Sequence, residues 1–425
     1  MNYRREYRIY PNKRQREIIA KTFGVTRFIY NEMLAMKVKH YKETNESLAV
    51  KPSDVRNNHT NYEWLFDRDL DGSAVANTWN LLNTAYKNFF QQYKKNGHGF
   101  PKFKKKKSRQ SYTIRQTIKF IDDNHLSIPK CGKIKCVGDR VEGKIKSCCI
   151  KQMPSGKYFA TVLYEIPELK KLEPSQFQIG IDLGLKEFAV CSDGEVIANP
   201  RNTKKYADKL AWKQRLLSRK QKGSKRRNKA RIQVAKVHEK ISNSRKDFQQ
   251  KLSTRLINEN QVICLETLKP SNMLKNHSLA KAIADASWSS FVGMLKYKAE
   301  WYGRSIVQIS PYYPSSQLCC HCGHKFKGTK DLGVRVWECP ECHNVNERDL
   351  NASINILNEG LRKFNLRLEG PITHGDTDRY SDLDREYGNL KVAAASNNIV
   401  ETITNKSHFG INNEYVIFIR KSPSI

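Results

Sequence analysis

Residues 13–41 place Ile18, Ile19, Phe23, Phe28, Tyr30, Leu34 and Val38 at mixed intervals of three and four, the spacing of amphipathic helices. Residues 74–93 form a second helical stretch. From 111 to 166 the pattern changes to short alternating runs, SYTIRQTIKFI, LSIPKC and YFATVLYEI, broken by Gly and Pro, as strands of a small sheet or barrel require. With a first strand near residues 4–10, this predicts a β module interrupted by a helical insertion.

The second half carries a different signal. Residues 178–182 (QIGID) read as a buried strand ending in a carboxylate, followed by a strand over 188–192, a turn at Asp193-Gly194 and a third strand near 195–198. This is the strand, tight turn, strand opening of an RNase H-like sheet. A lone Asp after a strand is commonly a turn or cap residue, but residues 261–266 (QVICLE) repeat the arrangement, an apolar strand closed by Glu266. Two such ends side by side require a cation or a proton, because a carboxylate in low dielectric is costly when unpaired. A third acid, Asp349, opens a helix through Ile354, Ile356 and Leu357. Alone it reads as an N-terminal cap. Together, Asp182, Glu266 and Asp349 are candidate catalytic residues and ligands for two Mg²⁺, a hard cation that prefers oxygen, set about 3.5 to 4 Å apart to activate a water and stabilise a leaving oxygen.

Charge narrows the partner class. The 425 residues, enough for two or three domains, are 39% hydrophobic and carry a net charge of +34, which points to a polyanion, namely nucleic acid. Residues 102–109 (KFKKKKSR) contain Lys102, Lys104, Lys105, Lys106, Lys107 and Arg109 and no acid, and are expected to form an exposed strap against phosphates. A solvated loop is the bland alternative. Residues 204–255 are also strongly basic, with a seam of Val234, Val237, Ile241, Phe248 and Leu252 that predicts a long helical hairpin. Its apolar stripe is expected on the sheet, with Lys225, Arg226 and Arg227 among outward-facing contacts to nucleic acid. Residues 371–425 carry about one net negative charge and little periodicity, and read as a disordered or loosely docked tail.

No apolar run approaches the roughly 20 residues needed to cross a bilayer, and the N-terminus lacks the apolar centre of a signal peptide. The chain reads as intracellular, so its 11 cysteines are expected as thiols or metal ligands rather than disulfides. Composition excludes collagenous, membrane-spanning and disulfide-framework classes. Two CxxC knuckles, Cys319/Cys322 and Cys339/Cys342, match a four-thiolate zinc ribbon. Cys320, His321 and His343 are neighbours outside that spacing. Four thiolates leave no open position, so the expected Zn²⁺ is structural.

The segments IGIDLGLKEFAVCSDG, ICLETLKPSNM, SSQLCCHCG, WECPECHNVNERDLNASINIL and GFPKFKKKKSRQSY resemble, in order over residues 1–365, the TnpB family of transposon-encoded relatives of type V CRISPR effectors. The resemblance implies a multidomain α+β protein: a wedge-like β-barrel (1–10 and 108–172), a helical recognition lobe (11–107), a RuvC-type nuclease domain (177–318 and 347–365), a zinc ribbon (319–346) and a C-terminal tail (366–425). It also implies a Mg²⁺-dependent endonuclease with the triad on Asp182, Glu266 and Asp349. Its partners would be a guide RNA from the transposon end and double-stranded target DNA beside a short adjacent motif. One protein per guide RNA in a prokaryotic cytoplasm, at the nucleoid, is expected. Alternatives are a nuclease-inactive RNA-guided regulator, a miniature type V effector, or a transposase acting alone. One departure is Asn346-Glu347-Arg348-Asp349, where relatives often read His-Asp-Arg-Asp.

Overall fold

The computed structural model describes residues 1–96, 99–106, 109–331 and 333–369. The tail expected over 366–425 lies outside the described residues from 370 onward. The chain divides into two compact units, one comprising residues 1–169 with 206–242, the other 170–205 with the residues from 243 onward. Among the described residues, no helix is long and apolar enough to cross a membrane.

The first unit opens with strand β1 (Asn2–Tyr10), helix α1 (Lys13–Thr44), α2 (Pro52–Asn57) and α3 (Gly72–Asn96). Six strands follow: β2 (Gln110–Ile114), β3 (Lys119–Asp122), β4 (His125–Ile128), β5 (Gly132–Val137), β6 (Lys144–Gln152) and β7 (Tyr158–Glu165). They form one seven-stranded antiparallel sheet in the order β2-β6-β7-β1-β5-β4-β3, with β1 paired to β7 on one side and β5 on the other. Interrupting the β module after its first strand is thus a real feature of the chain. The plural helices expected over 13–41 are one helix. Asn12 starts it with a capping box, its Oδ1 accepting from Gln15 N and its own N donating to Gln15 Oε1, both at 2.9 Å. Ile18, Ile19 and Phe23 pack into the sheet core, whereas Val25, Ile29, Met33 and Leu34 pack with Val55, Leu65 and Leu82 in a separate helical core. One rigid rod therefore serves two cores, and no break is needed between them.

The chain continues with β8 (Gln178–Leu183), β9 (Glu187–Cys191), β10 (Val196–Ala198), α4 (Asn202–Lys205), α5 (Ala207–Ser218) and α6 (Lys225–Glu259). Then come β11 (Val262–Glu266), α7 (Pro270–Met273), α8 (His277–Ala286), α9 (Trp288–Tyr302), β12 (Ser305–Ile309), β13 (Val336–Glu338), β14 (Val345–Glu347) and α10 (Arg348–Glu369). Residues 366–369, placed in the tail by sequence, are the last turn of α10.

The second unit is built on a five-stranded sheet in the order β10-β9-β8-β11-β12, in which β8, β11 and β12 run parallel and β9 is antiparallel to both of its neighbours, β8 and β10. The Asp193-Gly194 turn forms as predicted, with Gly194 at φ +88°. Both faces are covered, which is why β11 is an unbroken apolar run. Ile263 and Leu265 point to a core with Leu252 and Leu256 of α6 and Phe291 and Leu295 of α9; Val262 and Cys264 point to the other face, against Ile356, Leu357 and Leu361 of α10. The predicted helical hairpin is α5 and α6, but its apolar seam is divided. Phe248 and Leu252 pack on the sheet as expected, while Val237 and Ile241 lie in the part of α6 that groups with the first unit. A single periodic stripe cannot reveal that its two halves group with different units.

Candidate active site

Strands β8 and β11 pair in parallel register with Ile181 opposite Leu265. The next residues, Asp182 and Glu266, therefore stand at the carboxyl ends of adjacent strands, where parallel sheets place their ligand sites. Asp349 comes from the first turn of α10. That helix can lie close to the sheet because glycine stands at two contacts. A methyl group on Gly180 of β8 would collide with the Ser353 carbonyl and sit 2.7 Å from Leu357 N, and one on Gly360 would meet Cys264 of β11. As the second residue of the helix, Asp349 is not its cap, and its carboxylate is instead held by Arg335.

The electrostatics follow from this packing. Burial, then the negative charges of Glu266 and Asp349, push Asp182 up to about 7, against the opposing effect of Arg348. Glu266 Oε1 accepts a 2.6 Å hydrogen bond from Ser315 Oγ. Arg335 Nη1 lies 3.3 and 3.2 Å from the two oxygens of Asp349. The acids thus influence one another without being clustered as tightly as the cysteines. Among the described residues, the four sulfurs of Cys319, Cys322, Cys339 and Cys342 form the set of metal-ligating atoms that all lie within 4.8 Å of one another.

The cysteine set is assembled by two tight turns and a hairpin. Gly323 adopts φ +75° after the first knuckle, and β13 and β14 pair antiparallel around the second. The Cys319–Cys342 and Cys322–Cys339 sulfur pairs are each 3.6 Å apart, near the edge of about 3.8 Å expected for a tetrahedron with Zn–S of about 2.3 Å. The backbone N–H of Asn344, then its side chain, hold the Cys342 thiol down to about 6, favouring the thiolate that zinc needs. Cys320, His321 and His343 stay outside the set.

The basic candidates divide. Lys102, Lys105, Lys106, Arg109, Lys225 and Arg226 are exposed. Lys104 differs: its ammonium lies 4.0 Å from the Tyr30 ring centroid and its backbone exchanges hydrogen bonds with Asn31, so it fastens the strap to α1. Arg227 Nη1 donates to the carbonyls of Leu217 and Lys220, clasping the turn between α5 and α6. Lys107 lies outside the described residues. Sequence reasoning did not single out Ser315, Arg335 or Gly180. Ser315 and Arg335 are distant along the chain from the acids they hold, and Gly180 gave a signal only in hindsight, as a glycine inside a buried strand.

Three family profiles match the chain in sequence order: "Helix-turn-helix domain" over residues 1–46, "Probable transposase" of the OrfB/IS605 type over 161–277, and "Cas12f1-like, TNB domain" over 288–356. In the first stretch the structure has a strand and one uninterrupted helix. A Streptomyces pristinaespiralis protein with the name "Putative RNA-guided DNA endonuclease" is 36% identical over 84% of this chain and 89% of its own. InsQ of Escherichia coli K12, with the same name, is 28% identical over 84% of this chain and 91% of its own. Among solved structures, the effector chain in "Cryo-EM structure of the Cas12f1-sgRNA-target DNA complex" matches 84% of this chain and 98% of its own with a TM-score of 0.51 at 13% identity, a likeness of fold.

Proposed function

The chain belongs to the TnpB family, and on that premise we propose that it is an RNA-guided DNA endonuclease that hydrolyses target phosphodiesters beside a short adjacent motif, using one RuvC-type site on Asp182, Glu266 and Asp349. The observation that carries the site assignment is the register of β8 and β11, which sets Asp182 and Glu266 on neighbouring strand ends in an RNase H-like strand order, with Asp349 charged against them.

The donor set fits Mg²⁺. Three carboxylates and one raised carboxyl pKa mark a site with more negative charge than its surroundings neutralise, and all the donors are hard oxygens. Bound there, Mg²⁺ would polarise the scissile phosphate and supply a reactive water near neutral pH. Asp182 must give up its proton to serve as a ligand. Glu266 keeps one oxygen oriented by Ser315 and leaves the other for coordination. Asp349 is held in place through Arg335 and through the glycine contacts of its helix. The four cysteines fit one structural Zn²⁺, which would fix the hairpin bearing Arg335.

The division of labour follows from charge. A surface with +34 net charge supplies sequence-independent attraction to phosphates, while guide pairing supplies sequence discrimination. Exposed Lys102, Lys105, Lys106, Arg109, Lys225 and Arg226 are the proposed phosphate contacts. The domain assignment proposed is a wedge-like β module over the seven-stranded sheet, a recognition lobe over α1 to α3, and a nuclease domain over the five-stranded sheet with its zinc ribbon. The test is to purify the protein with its native locus, sequence the retained RNA, and present the complex with a plasmid library randomised beside a guide-matched target. A defined RNA and cutting next to one enriched motif are expected. An RNA-free protein that joins DNA ends, or a complex that binds DNA without cutting in Mg²⁺, would overturn it.

A further inference from the structure

Tyr312 is the most exposed large apolar side chain among the described residues, 84% accessible, and it lies on the loop leaving β12, the strand paired with the one that ends in Glu266. Strand β12 pairs in parallel with β11, Glu266 opposite Ile309. The loops leaving these two strands therefore start at the same carboxyl edge of the sheet. Lys269 is three residues beyond Glu266 and Tyr312 three beyond Ile309, and the two meet across the loops with the ammonium 5.2 Å from the ring centroid. Lys269 is itself exposed.

The loop that carries the ring is braced. Thr267 Oγ1 donates to the Ile309 carbonyl at 2.6 Å, Ser310 Oγ accepts from Tyr312 N, and Tyr313 turns inward against the core containing Val307 and Ile356. Ser315, at the far end of the loop, donates to Glu266, and its carbonyl accepts from Asn355 of α10 at 2.8 Å. A fixed backbone that half-buries Tyr313 and extends Tyr312 into water leaves an aromatic face with no packing role of its own. A ring beside a cation offers what a nucleic-acid strand recognises without sequence preference, a stacking surface for a base and a positive charge for the adjoining phosphate.

We propose that Tyr312, with Lys269, is a stacking platform that holds an unpaired nucleobase of the DNA strand entering the Asp182/Glu266/Asp349 site and thereby sets which phosphate is presented for cutting. This rests on the nuclease reading and adds the substrate contact: single-stranded DNA, gripped by base stacking, with little base preference. A platform at the exit of β12 and carboxylates at the exits of β8 and β11 act on one strand from one edge of one sheet.

The experiment uses the guide-loaded complex with guide-matched duplex in Mg²⁺ and compares wild type, Tyr312→Ala and Tyr312→Phe by single-turnover cutting and by mapping of cut ends. Loss of one base–aromatic stack is expected to slow Tyr312→Ala about five- to a hundred-fold and to scatter its cut positions, with Tyr312→Phe close to wild type. Duplex binding and melting temperature should be the same in all three. A second measurement is independent of cutting: DNA target substituted with 5-bromo-2′-deoxyuridine, irradiated on an Asp182→Asn complex, is expected to crosslink at Tyr312 and to lose that crosslink in the Ala variant. Cutting by Tyr312→Ala at the wild-type rate and positions, or no crosslink at Tyr312, overturns the platform and leaves the nuclease reading standing. A wild-type complex that never cuts, yet crosslinks at Tyr312, overturns the nuclease reading and leaves the platform.

Discussion

Arg335, at the start of the cysteine-bearing hairpin, holds Asp349 in the first turn of α10, with one guanidinium nitrogen 3.2 and 3.3 Å from the two carboxylate oxygens. Both side chains are partly exposed, so the pair contributes at most about 1 kcal/mol to stability. Its larger effect concerns ion binding, because the guanidinium already answers a charge that Mg²⁺ would use. Arg335→Ala is expected to tighten Mg²⁺ binding to the nucleic-acid-free protein by a few-fold, measured by calorimetric titration, with almost no change in melting temperature. Weaker Mg²⁺ binding in this variant would mean that the hold of Arg335 on the orientation of Asp349 outweighs its competition for charge.

The raised pKa of Asp182 has a sign that can be read in stability. In the folded, Mg²⁺-free chain it holds its proton up to about pH 7, whereas the unfolded chain releases it near 3.8. Between those values the folded state binds the extra proton, so this group's contribution to stability is greatest below pH 4 and is lost as pH rises towards 7. Denaturant titrations from pH 5 to 8 should show a steeper fall for wild type than for Asp182→Asn, which should also melt higher at pH 8. Mg²⁺ affinity should increase through the same window. Parallel pH profiles for the two proteins would remove Asp182 from the buried position beside like charges assigned to it.

Gly180→Ala tests the contact that brings Asp349 to the sheet. The added methyl meets backbone atoms of α10 rather than a flexible side-chain end, so the helix must move. A loss of about 1 to 3 kcal/mol in urea unfolding is expected. A neutral result would show that α10 can shift freely and that its glycine seats do not place Asp349.

These contacts mark where the sequence was readable. The placement of Asp182 and Glu266 at strand ends was legible because two separate apolar runs each close on a carboxylate. The β8–β9–β10 meander was legible from alternation and Asp193-Gly194, and the four-cysteine cluster from spacing alone. Long-range partners were not. Nothing near Glu266 in the chain announces Ser315, and nothing near Asp349 announces Arg335 as its ion-pair partner. Charge runs were legible as charge but not as roles. Lys104 and Arg227 look like their neighbours, yet one lies over an aromatic ring and the other caps a turn. Periodicity likewise described α6 as one seam, although its ends group with different units.

Zinc content offers a separate check on the cysteine centre. Elemental analysis of purified protein should give one zinc per chain, lost in Cys339→Ser, with the hairpin becoming sensitive to protease. A zinc-free protein with an intact, protected hairpin would contradict a structural metal.

Cutting of a guide-matched plasmid by equally RNA-loaded wild type, Asp182→Ala and Glu266→Ala tests the whole account at once. Removing a carboxylate ligand forfeits several kcal/mol of transition-state stabilisation, on the order of a thousand-fold or more in rate. Wild type should linearise the plasmid in Mg²⁺, and both variants should retain the RNA and the target while leaving the plasmid intact. Cleavage that survives either substitution at near wild-type rate would contradict it.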